Sequence, residues 1–195
     1  MNGLIKENND GIIDFEPVFK RMNDELSLIG QSLKVLCAGG YVMQMNGYRG
    51  TADIDAYYES NQAIEAIIRK VGDEFGINQP DELWLNNAIA NMNPQPPDEY
   101  CRLVHLFSNL VVEAVSIKYL IGMKLVTGRS QDVMDVGDIL NRDNNVQPFE
   151  LLSELESMEF DVDISILLDA FERAHGMDWL DRFYRDNQGE LSKYF

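Results

Sequence analysis

Positive charge is scarce in this chain. Sixteen Lys and Arg stand against 33 Asp and Glu, a formal net charge of −17 at pH 7, which favours solubility and repels polyanions. Nonspecific affinity for nucleic acid comes mainly from Lys and Arg neutralising phosphates. Tight binding of that kind is therefore disfavoured, and a large nucleic-acid partner is disfavoured with it. Cysteine is equally sparse. Cys37 and Cys101 lie in apolar surroundings without a CxxC or Cys/His spacing, which predicts two separate, buried, reduced thiols and argues against zinc. The two histidines, His105 and His175, are isolated from nucleophile or ligand partners, so core packing or a helix terminus accounts for them best. No apolar run approaches the length that spans a bilayer, and Met1 to Asp10 lack a signal-peptide pattern. The expectation is a cytoplasmic protein with no membrane partner. Internal repeats, low-complexity segments and long linkers are absent too.

What is present describes a folded domain. Hydrophobic residues make up 45% of the 195 positions and aromatics 10%, enough for one good core with a helical extension. Phe15, Val18, Phe19, Met22, Leu26 and Ile29 recur at helical spacing between about Asp14 and Ser32. Lys34 to Ala38 reads as a short buried strand, Asp53 to Tyr58 as a second, and Ser60 or Asn61 caps a helix carrying Ile64, Ile67, Ile68, Val71 and Phe75. A short helix is expected around Glu82 to Ala90, then a loop over residues 93–98, rich in proline. Arg102 to Phe107 and Leu110 to Ser116 are strand candidates separated by Ser108 and Asn109. Helical patterns follow over Ile117 to Val126, Gln131 to Leu140, from Pro148 onward, Asp163 to Ala174 and Asp178 to Asp186. The predicted class is α/β in the α+β sense: a small mixed sheet in residues 1–116, and a helical part packed on it in residues 117–195.

One stretch carries chemistry. Gly39 and Gly40 end the first strand at a point where a helix should begin, and glycine permits backbone conformations and close approaches that a Cβ would block. A strand, a glycine turn and a helix start together aim backbone N–H groups at one point, as phosphate sites do. The spacing and lysine of a P-loop are missing. Downstream, Arg49, Gly50 and Thr51 lead into Asp53, Ile54 and Asp55. In a strand, Asp53 and Asp55 project to one side and Ile54 to the other. Two neighbouring carboxylates repel, and Mg²⁺ is the natural compensation, since it takes one or two carboxylates together with substrate phosphates. Read alone, the Asp-Ile-Asp spacing also fits a solvated strand face.

In sequence order, the apolar strand, Gly39-Gly40, Arg49, Thr51, Asp53 and Asp55 resemble the nucleotidyltransferase superfamily of the DNA polymerase β type. The likeness is to its compact bacterial members, the AbiEii-type toxins among them. Trp84-Leu85-Asn86, Met123-Lys124-Leu125, Gly128 to Asp132 and Asp135 look like later segments of the same family, so the resemblance covers about residues 33–140. It implies that Asp53 and Asp55 hold Mg²⁺ or Mn²⁺ and that Gly39 and Gly40 support the triphosphate of an NTP. By the same likeness Arg49 and Thr51 contact phosphate or order the loop, and Lys124 and Asp132 complete the catalytic set. The expected reaction transfers a nucleoside monophosphate to a macromolecular or small acceptor. The family's third acid has no counterpart between Arg102 and Phe107, and Glu113 is the nearest candidate metal ligand. Three readings stay open: a metal-dependent nucleotidyltransferase, a catalytically degenerate protein that binds a nucleotide or a protein partner in a toxin–antitoxin or phage-defence system, or a small interaction module whose acidic helical surface holds a basic partner. For Lys124, Arg129, Asp132 and Asp135 an ordinary ion-pair cluster between two helices is the plain alternative.

Overall fold

The computed structural model describes residues 12–91, 94–143 and 145–195. The readings made on Met1 to Asp10 and on Asn93 lie outside the described residues. The chain divides into two compact units, one ending at Ile117 and the other starting at Lys118. Among the described residues the fold is mixed α/β, with one five-stranded sheet and a mostly helical C-terminal part. No helix among them is long and apolar enough to cross a membrane.

In the first unit, α1 (Glu16–Leu28) precedes β1 (Leu33–Cys37), α2 (Gly39–Met45), β2 (Ile54–Tyr57), α3 (Gln62–Phe75), β3 (Leu85–Asn86), β4 (Cys101–Leu106) and β5 (Leu110–Val115). Helix α1 is shorter than its periodicity suggests. Gly30 adopts φ +65° and Gln31 N–H donates to Leu26 O at 3.0 Å, which closes the helix and leaves Ile29 47% exposed. Helix α3 is capped as its sequence requires. Asn61 Oδ1 accepts from the N–H groups of Ala63 and Ile64, and Gly76 ends the helix in the left-handed region.

The sheet runs β3-β2-β1-β5-β4. β1 pairs antiparallel with β2 and parallel with β5, while β2 and β3 are parallel and β4 and β5 form an antiparallel hairpin. Residues opposite one another in a ladder share a face. Val35, Cys37, Ile54, Ala56, Val112 and Ala114, all fully buried, form one face. Helix α1 packs against α3 and β5, and Phe19 brings its ring to Tyr41, Trp84 and His105. His105 is thus a packing residue, as its isolation suggested. Cys37 is buried, and burial pushes its thiol well above the ordinary range. Cys101 is only half-buried, with Sγ donating to Pro97 O at 3.3 Å.

The helix expected around Glu82 to Ala90 is instead the strand β3 followed by a 3-10 turn, Ala88–Asn91. Tertiary pairing overrides local propensity there. Ile54 N–H donates to Trp84 O at 2.7 Å, and the Trp84 indole donates to Ile68 O at 2.9 Å. Residues 94–97 have no regular structure, and a 3-10 turn, Asp98–Tyr100, leads into β4.

The second unit is helical: α4 (Ile117–Thr127, beginning at the division), α5 (Ser130–Leu140), α6 (Pro148–Ser157), α7 (Ile164–His175), α8 (Met177–Asp186) and the short α9 (Gln188–Leu191). Helix α7 is its centre and packs on α5, α6 and α8, with Leu167, Ala170 and Phe171 fully buried. Gly137 lets α5 approach α7, because a Cβ there would run into the Arg173 side chain.

Candidate functional site

Asp53 and Asp55 flank Ile54, whose side chain is fully buried, and are themselves half-buried at the entry to β2. Asp53 lies one residue before the strand and Asp55 within it. The antiparallel pairing of β1 and β2 returns this segment to the glycine pair, with Cys37 opposite Ala56 and Ala38 N–H donating to Asp55 O at 2.8 Å. Gly39 sits at φ +57°, and a Cβ on it would stand 2.6 Å from Asp55 Oδ2. A Cβ on Gly40 would stand 2.5 Å from Thr51 Oγ1 and 3.4 Å from Arg49 Nη1. Real Cβ contacts do not come as close as those to Asp55 and Thr51. The two glycines are therefore where the aspartate-bearing segment docks on the end of β1, and each must lack a side chain for that to happen. Helix α2 has only seven residues, so close approach, more than a helix dipole, is what the glycines provide.

The loop that holds Asp53 is tied down by two side chains. Thr51 Oγ1 lies 3.0 Å from Asp53 O and 3.2 Å from Asp53 Oδ1, so its single proton ties down either the Asp53 backbone or its carboxylate. Gln44, on α2, accepts from Thr51 N–H at 3.0 Å and donates to Ile13 O at 2.8 Å. Sequence reasoning passed over Gln44. Its signal was its spacing, one helical turn beyond Gly40. Arg49 Nη1 donates to Gly50 O at 3.2 Å, and the half-buried guanidinium stands beside Gly40.

Glu113 is on the same sheet face as Asp55, because Leu36 is the ladder partner of both Tyr57 and Glu113. It is not level with Asp55. Continuing the β1–β5 register by one residue sets Val115, fully buried, beside Ala38 and hence in line with Asp55. Glu113 lies a pleat away, roughly 7 Å along the strand, and its carboxylate is 2.9 Å from Lys34 Nζ. That hydrogen bond raises the Lys34 ammonium above its ordinary range, although partial burial opposes it. No group of three or more His, Cys, Asp or Glu that could hold a metal comes together among the described residues. Further along the same strands a cleft of about 670 Å³ opens between Lys34, Leu36, Tyr57 and Tyr58. Burial, with a contribution from Glu65, pushes the Tyr58 phenol up to about 12.

Lys124, Arg129, Asp132 and Asp135 come together within the second unit. Lys124 Nζ lies 2.8 Å from Asp132 Oδ1 and 2.6 Å from Asp135 Oδ2, and all three side chains are at most 7% exposed. Arg129 Nε donates to Asp132 Oδ2 at 2.7 Å, and Gln131 Nε2 donates to Asp135 Oδ1 at 2.9 Å. The i, i+3 spacing of Asp132 and Asp135 puts both carboxylates on one face of α5, and Lys124 reaches across from α4 to bridge them.

Comparison with known proteins bears on this arrangement. Residues 14–167 match a family model described as a nucleotidyltransferase of unknown function (DUF6036). No curated protein matches the chain. No solved structure matches it either.

Proposed function

The chain belongs to this nucleotidyltransferase family, and from that premise we propose that it transfers a nucleoside monophosphate from an NTP to an acceptor, using Mg²⁺ or Mn²⁺ held by Asp53 and Asp55. The observation that carries the proposal is the docking of Asp55 and Thr51 onto Gly39 and Gly40, which brings two carboxylates, a cation and the glycine turn to one corner of the sheet. The donor set suits the ion, because Mg²⁺ is usually bound by one or two carboxylates plus substrate phosphates. When bound, the divalent ion neutralises charge at the phosphates and aligns the acceptor oxygen. The chain's own residues do the rest. Thr51 ties down Asp53, Gly39 seats Asp55, and Arg49 beside Gly40 contacts the triphosphate. The acceptor hydroxyl gives its proton to solvent as its oxygen bonds to the α-phosphorus, the bond to the β-phosphate oxygen breaks, and pyrophosphate leaves.

The net charge of −17 favours a protein or small-molecule acceptor over a long nucleic acid. The order of the motifs favours kinship with the AbiEii-type toxins. Lys124 and Asp132 enter the proposal with a constraint, since Lys124 must leave two carboxylates before it can meet a phosphate.

A second reading has its own observation. Val115 occupies the position level with Asp55, and Glu113 is engaged by Lys34, as suits a relative that binds a nucleotide and regulates a partner without turnover. Incubation with α-labelled NTPs, Mg²⁺ or Mn²⁺ and cell extract, beside an Asp53→Asn/Asp55→Asn control, separates the two. Label transfer that disappears in the control supports the enzyme. Metal-dependent NTP binding without transfer supports the second reading, and loss of both rejects the nucleotide site.

A further inference from the structure

Asn86 is the ladder partner of Asp55, across the parallel pairing of β2 and β3. The two side chains therefore stand next to each other on one face of the sheet, on strands about 4.8 Å apart. The Asn86 amide has a fixed orientation, because its Oδ1 accepts from Ala88 N–H at 3.2 Å. That assignment leaves Nδ2 as a donor, and Nδ2 is shielded from solvent without a hydrogen-bond partner among the described residues. A buried donor left unmade carries its full desolvation penalty. Such groups are rare enough in native proteins to call for an explanation.

Poor local packing does not explain it. The strand carrying Asn86 is pinned by the Trp84 indole on Ile68 O and by Asn78 Oδ1 on Trp84 N–H. Trp84 itself is 1% exposed. The residue is thus held beside Asp55, with both N–H donors of its amide unused and the residue as a whole only half-buried. A donor held at a fixed position beside a carboxylate is placed to meet a ligand oxygen.

We propose that Asn86 is a substrate-binding residue whose amide donates to an oxygen of the nucleotide seated over Asp55. The inference rests on the nucleotidyltransferase reading above and adds to it the donor that the sequence motif did not assign. The oxygen belongs either to the triphosphate or to the ribose. The shared chemistry is a hydrogen-bond acceptor within reach of both Asp55 and Asn86.

The test titrates wild type, Asn86→Leu and Asn86→Asp with Mn²⁺ alone, with Mn²⁺ and each of the four NTPs, and with Mn²⁺ and inorganic tripolyphosphate, recording thermal midpoints throughout. Asn86→Asp keeps the acceptor for Ala88 N–H and so preserves the fold if Leu does not. The expected result is at least a tenfold loss of NTP affinity in both variants, with Mn²⁺ binding in Asn86→Leu retained. A parallel loss for tripolyphosphate assigns the phosphate oxygens, and a loss confined to NTPs assigns the ribose. Wild-type NTP binding that either folded variant matches within twofold overturns the role of Asn86 and leaves the family reading intact. Failure of the wild type to bind any NTP rejects that reading, and this inference with it.

Discussion

Asp55 and Gly39 are in contact: the carboxylate Oδ2 occupies ground 2.6 Å from where a side chain on Gly39 would begin. This single relationship makes the glycine turn and the aspartate strand one structure, although fifteen residues of chain lie between them in the sequence. It also gives the site a sharp mutational signature.

Gly39→Ala is expected to cost at least about 1–2 kcal/mol from left-handed backbone strain alone, since Gly39 lies at φ +57°, and to displace Asp55 as well. Gly40→Ala has no such strain and acts through Thr51 and Arg49. Urea denaturation beside Mn²⁺–NTP titration checks both. Gly39→Ala should lose stability and nucleotide affinity together, whereas Gly40→Ala should lose affinity with the smaller change in stability.

Gln44→Ala removes two hydrogen bonds, one to Thr51 N–H and one from the side chain to Ile13 O. A loss of about 1–2 kcal/mol is expected. Because Thr51 orients Asp53, metal affinity should also fall, and Gln44→Glu, which keeps the acceptor, should restore most of the Thr51 contact. Calorimetric titration with Mn²⁺ distinguishes the two variants.

The network around Lys124 gives a prediction for stability. Lys124→Met leaves Asp132 and Asp135 buried with one fewer cation, and breaking a buried pair from one side costs about 3–5 kcal/mol. Adding Asp132→Asn and Asp135→Asn should recover a large part of that loss, a non-additivity that chemical denaturation of the single, double and triple variants would read directly. Additive losses would show that the charges do not act as a unit.

Acid should act through Glu25. It bonds Lys70 of α3 and Arg21 one turn back on α1, and the Lys70 and Arg21 hydrogen bonds hold its carboxyl below the ordinary value of 4.5 against the opposing effect of burial. A depressed carboxyl contributes stability that is present above the unfolded-state value and is lost as pH falls through the folded-state value. Glu25→Gln should therefore be less stable than wild type at pH 7, and the difference should vanish as the pH is taken well below 4.5. A difference that persists unchanged at low pH would assign the effect to packing.

The sequence showed those features that depend on neighbours along the chain. Asn61 and Gly76 bracket α3 as their chemistry demands, and the apolar spacing of Val18, Phe19, Met22 and Leu26 marks the buried face of α1. Gly39, Gly40, Arg49, Thr51, Asp53 and Asp55 were readable as a group because family likeness preserves their order. Features set by tertiary pairing were not readable. Leu85 and Asn86 form a strand because β2 offers them an edge, and their own propensity gives no sign of it. Likewise the level of Glu113 relative to Asp55 is a matter of register across β1, which no local pattern records. The contact between Lys124 and two aspartates was anticipated only in part, because i, i+3 spacing fixes the face of α5 but not what lies opposite it.

The place of β1 in the sheet has a consequence for how the protein is made. One of its two neighbours, β2, follows after a short helix, so the corner that holds Asp55 can take shape from a compact stretch of nascent chain. Its other neighbour, β5, is synthesised only after α2, β2, α3, β3 and β4. Until then the apolar strand Leu33–Cys37 has one unpaired edge, a template for pairing with other chains. Non-local parallel pairing of this kind slows folding. The interval between the emergence of β1 and that of β5 is therefore the period in which this protein is most exposed to aggregation, and binding of a chaperone to stalled ribosome complexes should peak within it.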